Sequence, residues 1–276
     1  MNILSEIAEF KKKEVEERKG LYPVKLLEKS IHFNAPVVSL KKYLLRDDKS
    51  GIIAEIKRKS PSRGMINRYV SVERTSVGYM MAGASALSIL TDEKYFAGSN
   101  ADLSTARKFN FCPILRKDFI IDEYQVIEAK SIGADAILLI AAMLSPSETG
   151  RLAGLARSLG LEVLLEIHNM DELSSHVTGD DYLVGINNRD LKTFEVNIET
   201  SLRLGSELPQ DVIKISESGI NSPEAIIKLK SIGFAGFLIG EYFMLHSRPE
   251  KACDEFIRDL ERLEKIHTVK NEKPDA

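Results

Sequence analysis

The sequence predicts an α/β protein, a (β/α)8 TIM barrel carrying an N-terminal helical extension. From Ile52 onward, eight short apolar runs alternate with helical patterns as far as Leu263. The runs are nearly continuous Ile, Leu and Val, as expected of parallel strands covered on both faces. The rival, an open doubly wound sheet, lacks its signatures: no Gly-x-Gly-x-x-Gly follows the first run, and there is no Walker loop.

Residues 1 to about 20 place Ile3, Leu4, Ile7, Phe10 and Val15 at helical spacing, with a charged opposite face. Gly20 reads as the stop, and Pro23 as the start of a second short helix through Leu26, Leu27 and Ile31. No convincing strand precedes Asp48. Residues 1–48 are therefore expected to be a helical extension packed on the barrel, 49–266 the barrel, and 267–276 a polar, frayed tail. The expected strands are Ile52–Lys57, Ala86–Leu90, Pro113–Lys117, Ala136–Ala141, Glu162–Ile167, Tyr182–Asn187, Val212–Glu217 and Gly236–Gly240. Helical patterns follow them at Val72–Ala82, Ala101–Lys108, Asp122–Ile132, Ser145–Leu159, Met170–His176, Ile198–Glu207, Ser222–Ile232 and Pro249–Leu263. Asp122-Glu123, Ser145-Pro146 and Ser222-Pro223-Glu224 supply start signals, and Gly83, Gly133 and Gly233 supply stops.

Composition narrows the function classes. The net charge is −3 with both signs interleaved, which gives no support for a nucleic-acid or polybasic membrane surface. Cys112 and Cys253 lack metal-ligand spacing, so they read as reduced thiols and no metal is expected. With no membrane-spanning run and no signal-peptide core, the expected location is the cytoplasm.

The chemistry gathers at strand ends. Glu55 and Lys57 lie two apart, so on a strand they share a face, and Ser-Pro-Ser-Arg-Gly (60–64) ends that strand just beyond them. Alone, the pair could be a solvated edge pair. A closed barrel has no edge, and polar residues at its strand C-termini converge on one mouth. Lys117, Glu166, Asn187 and Glu217 occupy the corresponding places on the third, fifth, sixth and seventh strands. Each has a bland alternative: Lys117 as a loop charge in Arg-Lys-Asp, Asn187 as part of an Asx turn. His168, two past Glu166, reads as structural. A strand-end charge contributes little packing, so Lys117→Ala is expected to abolish turnover with folding nearly unchanged. Ser216-Glu217-Ser218-Gly219-Ile220 and Ile239-Gly240-Glu241 end the last two strands, the usual place for a barrel phosphate site, with Ser60 a third contributor across the mouth.

Ile-Ala-Glu-Ile-Lys-Arg-Lys-Ser-Pro-Ser-Arg-Gly (53–64), Leu-Thr-Asp-Glu-Lys-Tyr-Phe-Ala-Gly-Ser (90–99), Pro-Ile-Leu-Arg-Lys-Asp-Phe-Ile-Ile-Asp (113–122), Leu-Leu-Glu-Ile-His (164–168), Gly-Ile-Asn-Asn-Arg-Asp-Leu (185–191) and Ile-Ser-Glu-Ser-Gly-Ile (215–220) closely resemble indole-3-glycerol phosphate synthase. The resemblance runs from the N-terminal helices to about Leu263. It implies a tryptophan-pathway lyase that closes 1-(2-carboxyphenylamino)-1-deoxyribulose 5-phosphate to an indole with loss of CO2 and water. By this resemblance Lys117 would be the general acid and Glu166 a general base, with the division of steps between Lys57 and Lys117 left open by the sequence. Lys57 holds the substrate carboxylate and assists dehydration, Glu55 and Asn187 orient Lys57 and the sugar hydroxyls, and Glu217 completes the polar set. Ser60, Ser218, Gly219, Gly240 and the backbone N–H of Glu241 match the phosphate positions, and Arg189 a nearby arginine. Phe96, Phe119, Leu138, Ile140 and Leu191 match positions that wall in the aromatic ring. Tyr242 and Phe243 depart from the family, where smaller residues are frequent. No cofactor is implied. The expected partner is the phosphosugar-anthranilate substrate alone; the expected assembly is a monomer or weak homo-oligomer, with contact to other tryptophan-pathway enzymes left open.

Three rivals are weaker. A phosphoribosylanthranilate isomerase calls for a Cys/Asp pair, and Cys112 precedes the third strand, at the wrong end. A Schiff-base aldolase needs a neutral lysine, but both lysines have acids nearby. An inactive phosphate sensor predicts loss of a lysine or of Glu166, and all are present.

Overall fold

Eight parallel strands close on themselves in chain order: β1 (Ile52–Ile56), β2 (Ala86–Leu90), β3 (Ile114–Lys117), β4 (Ala136–Ile140), β5 (Glu162–Ile167), β6 (Leu183–Asn187), β7 (Lys214–Glu217) and β8 (Phe234–Ile239). The computed structural model describes residues 3–177 and 182–271, with side chains to 267. β8 returns to β1 with Ile52 against Phe237 and Ala54 against Ile239, which seals the barrel and bears out the predicted fold class.

Strand periodicity divides the apolar residues into two layers. Ile52, Ala54, Ile56, Leu87, Ile89, Ile137 and Leu139 point outward into the shell of helices. Ile53, Ala86, Leu115, Leu138, Leu164, Ile215 and Leu238 fill the interior. Burial of each such side chain contributes about 1.5–3 kcal/mol, so the alternation strongly specifies which residues face inward.

Three helices precede the barrel: α1 (Ile3–Leu21), α2 (Val24–Leu27) and α3 (Leu40–Leu44). They hold its two ends. At the end where strands begin, Ser39 donates to Glu162 (2.5 Å) and Val38 N donates to Asp135 (2.7 Å), while Leu40 and Leu44 enter the inner core. At the other end Ile3, Leu4 and Ile7 of α1 line the mouth. The charged face of α1 contains a fully buried lysine. Lys11 pairs with Asp92 (2.9 Å), Asp118 (2.8 Å) and Glu14 (3.0 Å). The helix also runs through Gly20 to Leu21. The second helix is shorter than its apolar residues suggest: it stops at Leu27, and Ile31 is 86% exposed. Ser30 accounts for the break, because its hydroxyl bonds the Ser131 carbonyl and accepts from His32 N.

The remaining helices are α4 (Val72–Met81), α5 (Glu93–Phe96), α6 (Asn100–Phe109), α7 (Glu123–Ile132), α8 (Pro146–Ser158), α9 (Met170–His176), α10 (Glu199–Glu207), α11 (Pro223–Lys230), α12 (Glu241–Met244) and α13 (Pro249–Asn271). Capping boxes start α7 at Asp122 and α8 at Ser145. The short α5 and α12, and a two-stranded turn pairing Lys59–Ser60 with Gly64–Met65, all lie in loops after strands and escape periodicity because they are too brief. α13 carries the polar sequence beyond 267 as far as Asn271; the rest of the expected tail, 272–276, lies outside the described residues. Among the described residues no helix is long and apolar enough to cross a membrane.

Candidate active site

Strand register sets the inward charges at similar depth: Asn187 stands beside Glu217, and Glu217 beside Leu238. Glu55 follows Ile53 on the inner face of β1, and Lys57, one residue past the strand, reaches Glu55 at 2.9 Å. Ser88 donates to the other oxygen of Glu55 at 3.2 Å. Lys117, last residue of β3, lies between two carboxylates, with Nζ 3.0 Å from Glu166 and 2.8 Å from Glu217. The Asn187 amide donates to the second oxygen of Glu166 at 3.0 Å. Two glycines make room for these acids. A Cβ on Gly185 would stand 2.2 Å from Glu217 Oε1, and one on Gly240 would stand 2.5 Å from Glu55 Oε1.

Burial and pairing push these groups apart. Burial alone would lower the Lys117 pKa, but the carboxylates of Glu166, Glu217 and Glu55 hold it above its ordinary value, so the ammonium keeps its proton. Glu217 is pushed up to about 7, chiefly by burial and further by Glu166, with Lys117 opposing. Glu166 goes the other way. Burial would raise it, but Lys117 foremost, then His168 and Asn187, hold it well below the carboxylate range. Lys117 is thus a charged acid between an ionised carboxylate and one that titrates near neutrality. Glu217 Oε1 is buried over Gly185 without a hydrogen-bond partner among the described residues.

These groups floor a cavity of about 770 Å³. On one side Phe96 and Phe119 face each other at 5.7 Å between ring centres, joined by Leu138, Ile140, Leu191 and the α1 residues Ile3, Leu4 and Ile7. Opposite are Ser60, Ser218, Gly219, Gly240 and Glu241. Ser218 and Gly219 both have left-handed backbone (φ 68° and 77°). That conformation costs a serine energy of order 1–3 kcal/mol and turns the backbone sharply at the end of β7. The Glu241 carboxylate takes Arg63 at 2.7 Å and Arg189 at 3.2 Å. Arg189 also donates to the Phe194 carbonyl and, through its backbone N–H, to Asn187.

A family model for indole-3-glycerol phosphate synthase matches residues 4–256. An indole-3-glycerol phosphate synthase of Bacteroides thetaiotaomicron is 48% identical over 260 residues, covering 94% of this chain and 99% of that protein. The chain belongs to the indole-3-glycerol phosphate synthase family. A second synthase, from Caldanaerobacter subterraneus subsp. tengcongensis, is 42% identical over 258 residues, covering 94% of this chain and 98% of its own. Among solved structures, the tryptophan synthase α subunit of Legionella pneumophila superposes with a TM-score of 0.57 at 12% identity, covering 81% of this chain and 97% of that one; the likeness is one of fold.

Every residue that the synthase-like motifs single out lines this one cavity: Glu55, Lys57, Ser60, Phe96, Lys117, Phe119, Leu138, Glu166, Asn187, Arg189, Glu217, Ser218, Gly219, Gly240 and Glu241. Cys112 is buried at the opposite end of β3, with its thiol pushed up by burial to about 12. Sequence reasoning missed Ile3, Leu4 and Ile7 as wall residues; their helical stripe was visible, but not what it covers. It also missed Arg63, which lines the cavity and pairs with Glu241. His168, read as structural, places Nε2 3.2 Å from Glu166.

Proposed function

We propose that the chain is an indole-3-glycerol phosphate synthase. It converts 1-(2-carboxyphenylamino)-1-deoxy-D-ribulose 5-phosphate to indole-3-glycerol phosphate, CO2 and water. The observation that carries this is Lys117, a charged acid held between two buried carboxylates, in a cavity apolar on one side and backbone-rich on the other. An aryl ring with a carboxylate suits the Phe96–Phe119 side, where Lys57 supplies a cation. A phosphate suits Ser60, Ser218, Gly219, Gly240 and the start of α12 at Glu241, with Arg189 nearby.

In this reading Lys117 donates its proton to the ribulose carbonyl oxygen as the ring carbon attacks, forming the new carbon–carbon bond. Loss of CO2 returns the bonding pair to the ring. Departure of the resulting hydroxyl as water, helped by Lys57, and removal of a proton by Glu166 complete the indole. The donation also prepares the base: once Lys117 is neutral, the cation that most suppresses the basicity of Glu166 is gone. Glu55 and Asn187 fix Lys57 and Glu166 in place, and Glu217 keeps Lys117 charged beforehand.

An indole-fluorescence assay on the purified chain tests this. Because the chain contains no tryptophan, new indole emission reports product alone. Phosphate-ligand binding with no indole formed would instead indicate a sensor, and a borohydride-trapped lysine adduct a Schiff-base enzyme.

A further inference from the structure

His168 stands just past β5, two residues beyond Glu166, so strand alternation directs both toward the same side. It does not line the cavity but lies behind Glu166, largely buried. Its Nδ1 is hydrogen-bonded to Glu172 Oε2 at 3.2 Å, and its Nε2 stands 3.2 Å from Glu166 Oε1, an ion-pair approach without hydrogen-bond alignment. Glu172 is itself fixed: its Oε2 accepts the His168 backbone N–H at 2.8 Å, its Oε1 accepts from the Asn169 amide at 2.7 Å, and its N–H returns to Asn169 at 2.9 Å. Glu172 belongs to the first turn of α9, so the clamp is built into a helix start.

The charged and polar groups around this unit form an alternating chain. Glu172 on α9 faces His168; His168 faces Glu166 on β5; Glu166 faces Lys117 on β3 and Asn187 on β6; Lys117 faces Glu217 on β7. The two glutamates beside Lys117 are both buried, yet their surroundings differ: Glu166 has the Asn187 amide and an imidazole beside it, and Glu217 Oε1 has no hydrogen-bond partner among the described residues.

We propose that His168 is a positioning residue of the reaction: clamped by Glu172 on one ring nitrogen, it holds Glu166 in place and ionised with the other, and so decides which glutamate beside Lys117 carries the proton. This rests on Glu166 acting as a base. The electrostatics agree. Burial works against a charged ring, but Glu166 and Glu172 together raise His168 to about 10, so the imidazolium persists at neutral pH. Glu217, lacking such a neighbour, is the member that titrates near 7.

The test is the pH dependence of kcat in full-length His168→Asn and Glu172→Gln variants, with 15N NMR of the histidine ring. Wild type should show a protonated His168 at pH 8. His168→Asn should move the acid limb of kcat upward by about one pH unit or more, because loss of a nearby cation raises the pKa of Glu166. KM should change little. Glu172→Gln, which keeps the ring, should move the limb the same way by less, and guards against a misfolded His168→Asn. A kcat lowered equally at every pH with the limb in place, or a neutral ring at pH 8 in wild type, overturns the proposal. Glu166→Gln separates the two levels. If it turns over like wild type, the base assignment fails and takes this proposal with it. If it is inactive while both other variants keep the wild-type limb, only the role of His168 fails.

Discussion

Replacing Lys117 by methionine keeps most of the side chain's length and removes the charge shared by Glu166 and Glu217. Both partners lie within 3.0 Å of Nζ and are buried, so the variant leaves two carboxylates facing each other in low dielectric. Breaking a buried pair in this way costs about 3–5 kcal/mol when the orphaned group stays ionised. Strand-end position alone suggests that folding would hardly change; the two buried partners argue for a larger cost. The cost depends on pH. Glu217 is already pushed up to about 7 against an ordinary 4.5, so between these values the folded protein holds a proton that the unfolded chain releases. Native binding of more protons means stability falls as pH rises through that window. Without Lys117 both glutamates shift upward, so Lys117→Met should be destabilised by several kcal/mol at pH 8 and much less at pH 5.5. Urea unfolding followed by circular dichroism at the two pH values measures this. Turnover should fall by about 10²–10⁴, the usual contribution of a positioned acid, with a smaller change in KM. A destabilisation independent of pH, or turnover within tenfold of wild type, would refute the reasoning.

Three further outcomes follow from particular contacts. Gly185→Ala places a methyl where Glu217 Oε1 lies, so it should lower kcat more than it raises KM and destabilise by about 1–3 kcal/mol, read by kinetics and urea unfolding. Lys11→Met takes the buried ammonium from Asp92 and leaves Asp118 to Arg116, and should cost about 3–5 kcal/mol at neutral pH; an unchanged unfolding midpoint would show that α1 is not anchored there. Cys112 and Cys253 are buried, with thiols raised well above their ordinary value, so neither should react with a thiol reagent at pH 8 until urea unfolds the chain.

The barrel was legible because its signals are local. Ile53, Glu55 and Lys57 declare an inward face by their spacing of two, and Lys117, Glu166, Asn187 and Glu217 stand on strand ends that periodicity locates within a residue or two. What escaped depends on contacts far along the chain. Lys11 looks like a solvated helix charge until Asp92 and Asp118, some eighty residues or more away in sequence, come beneath it. Ile31 seemed to extend the second helix, but the Ser30 hydroxyl finds the Ser131 carbonyl instead. His168 lies beyond the strand's end, and only the fold of α9 shows that Glu172 clamps it against Glu166. Gly185 gave no sign of its purpose, which is the space it leaves for Glu217.

The central claim is that this cavity closes an indole ring. The most direct measurement mixes purified chain with 1-(2-carboxyphenylamino)-1-deoxyribulose 5-phosphate and follows indole fluorescence together with released CO2. The account predicts both rising in equal amounts, and both lost in Lys117→Met. Substrate that binds and dissociates unchanged, with neither indole nor CO2 formed, would contradict it.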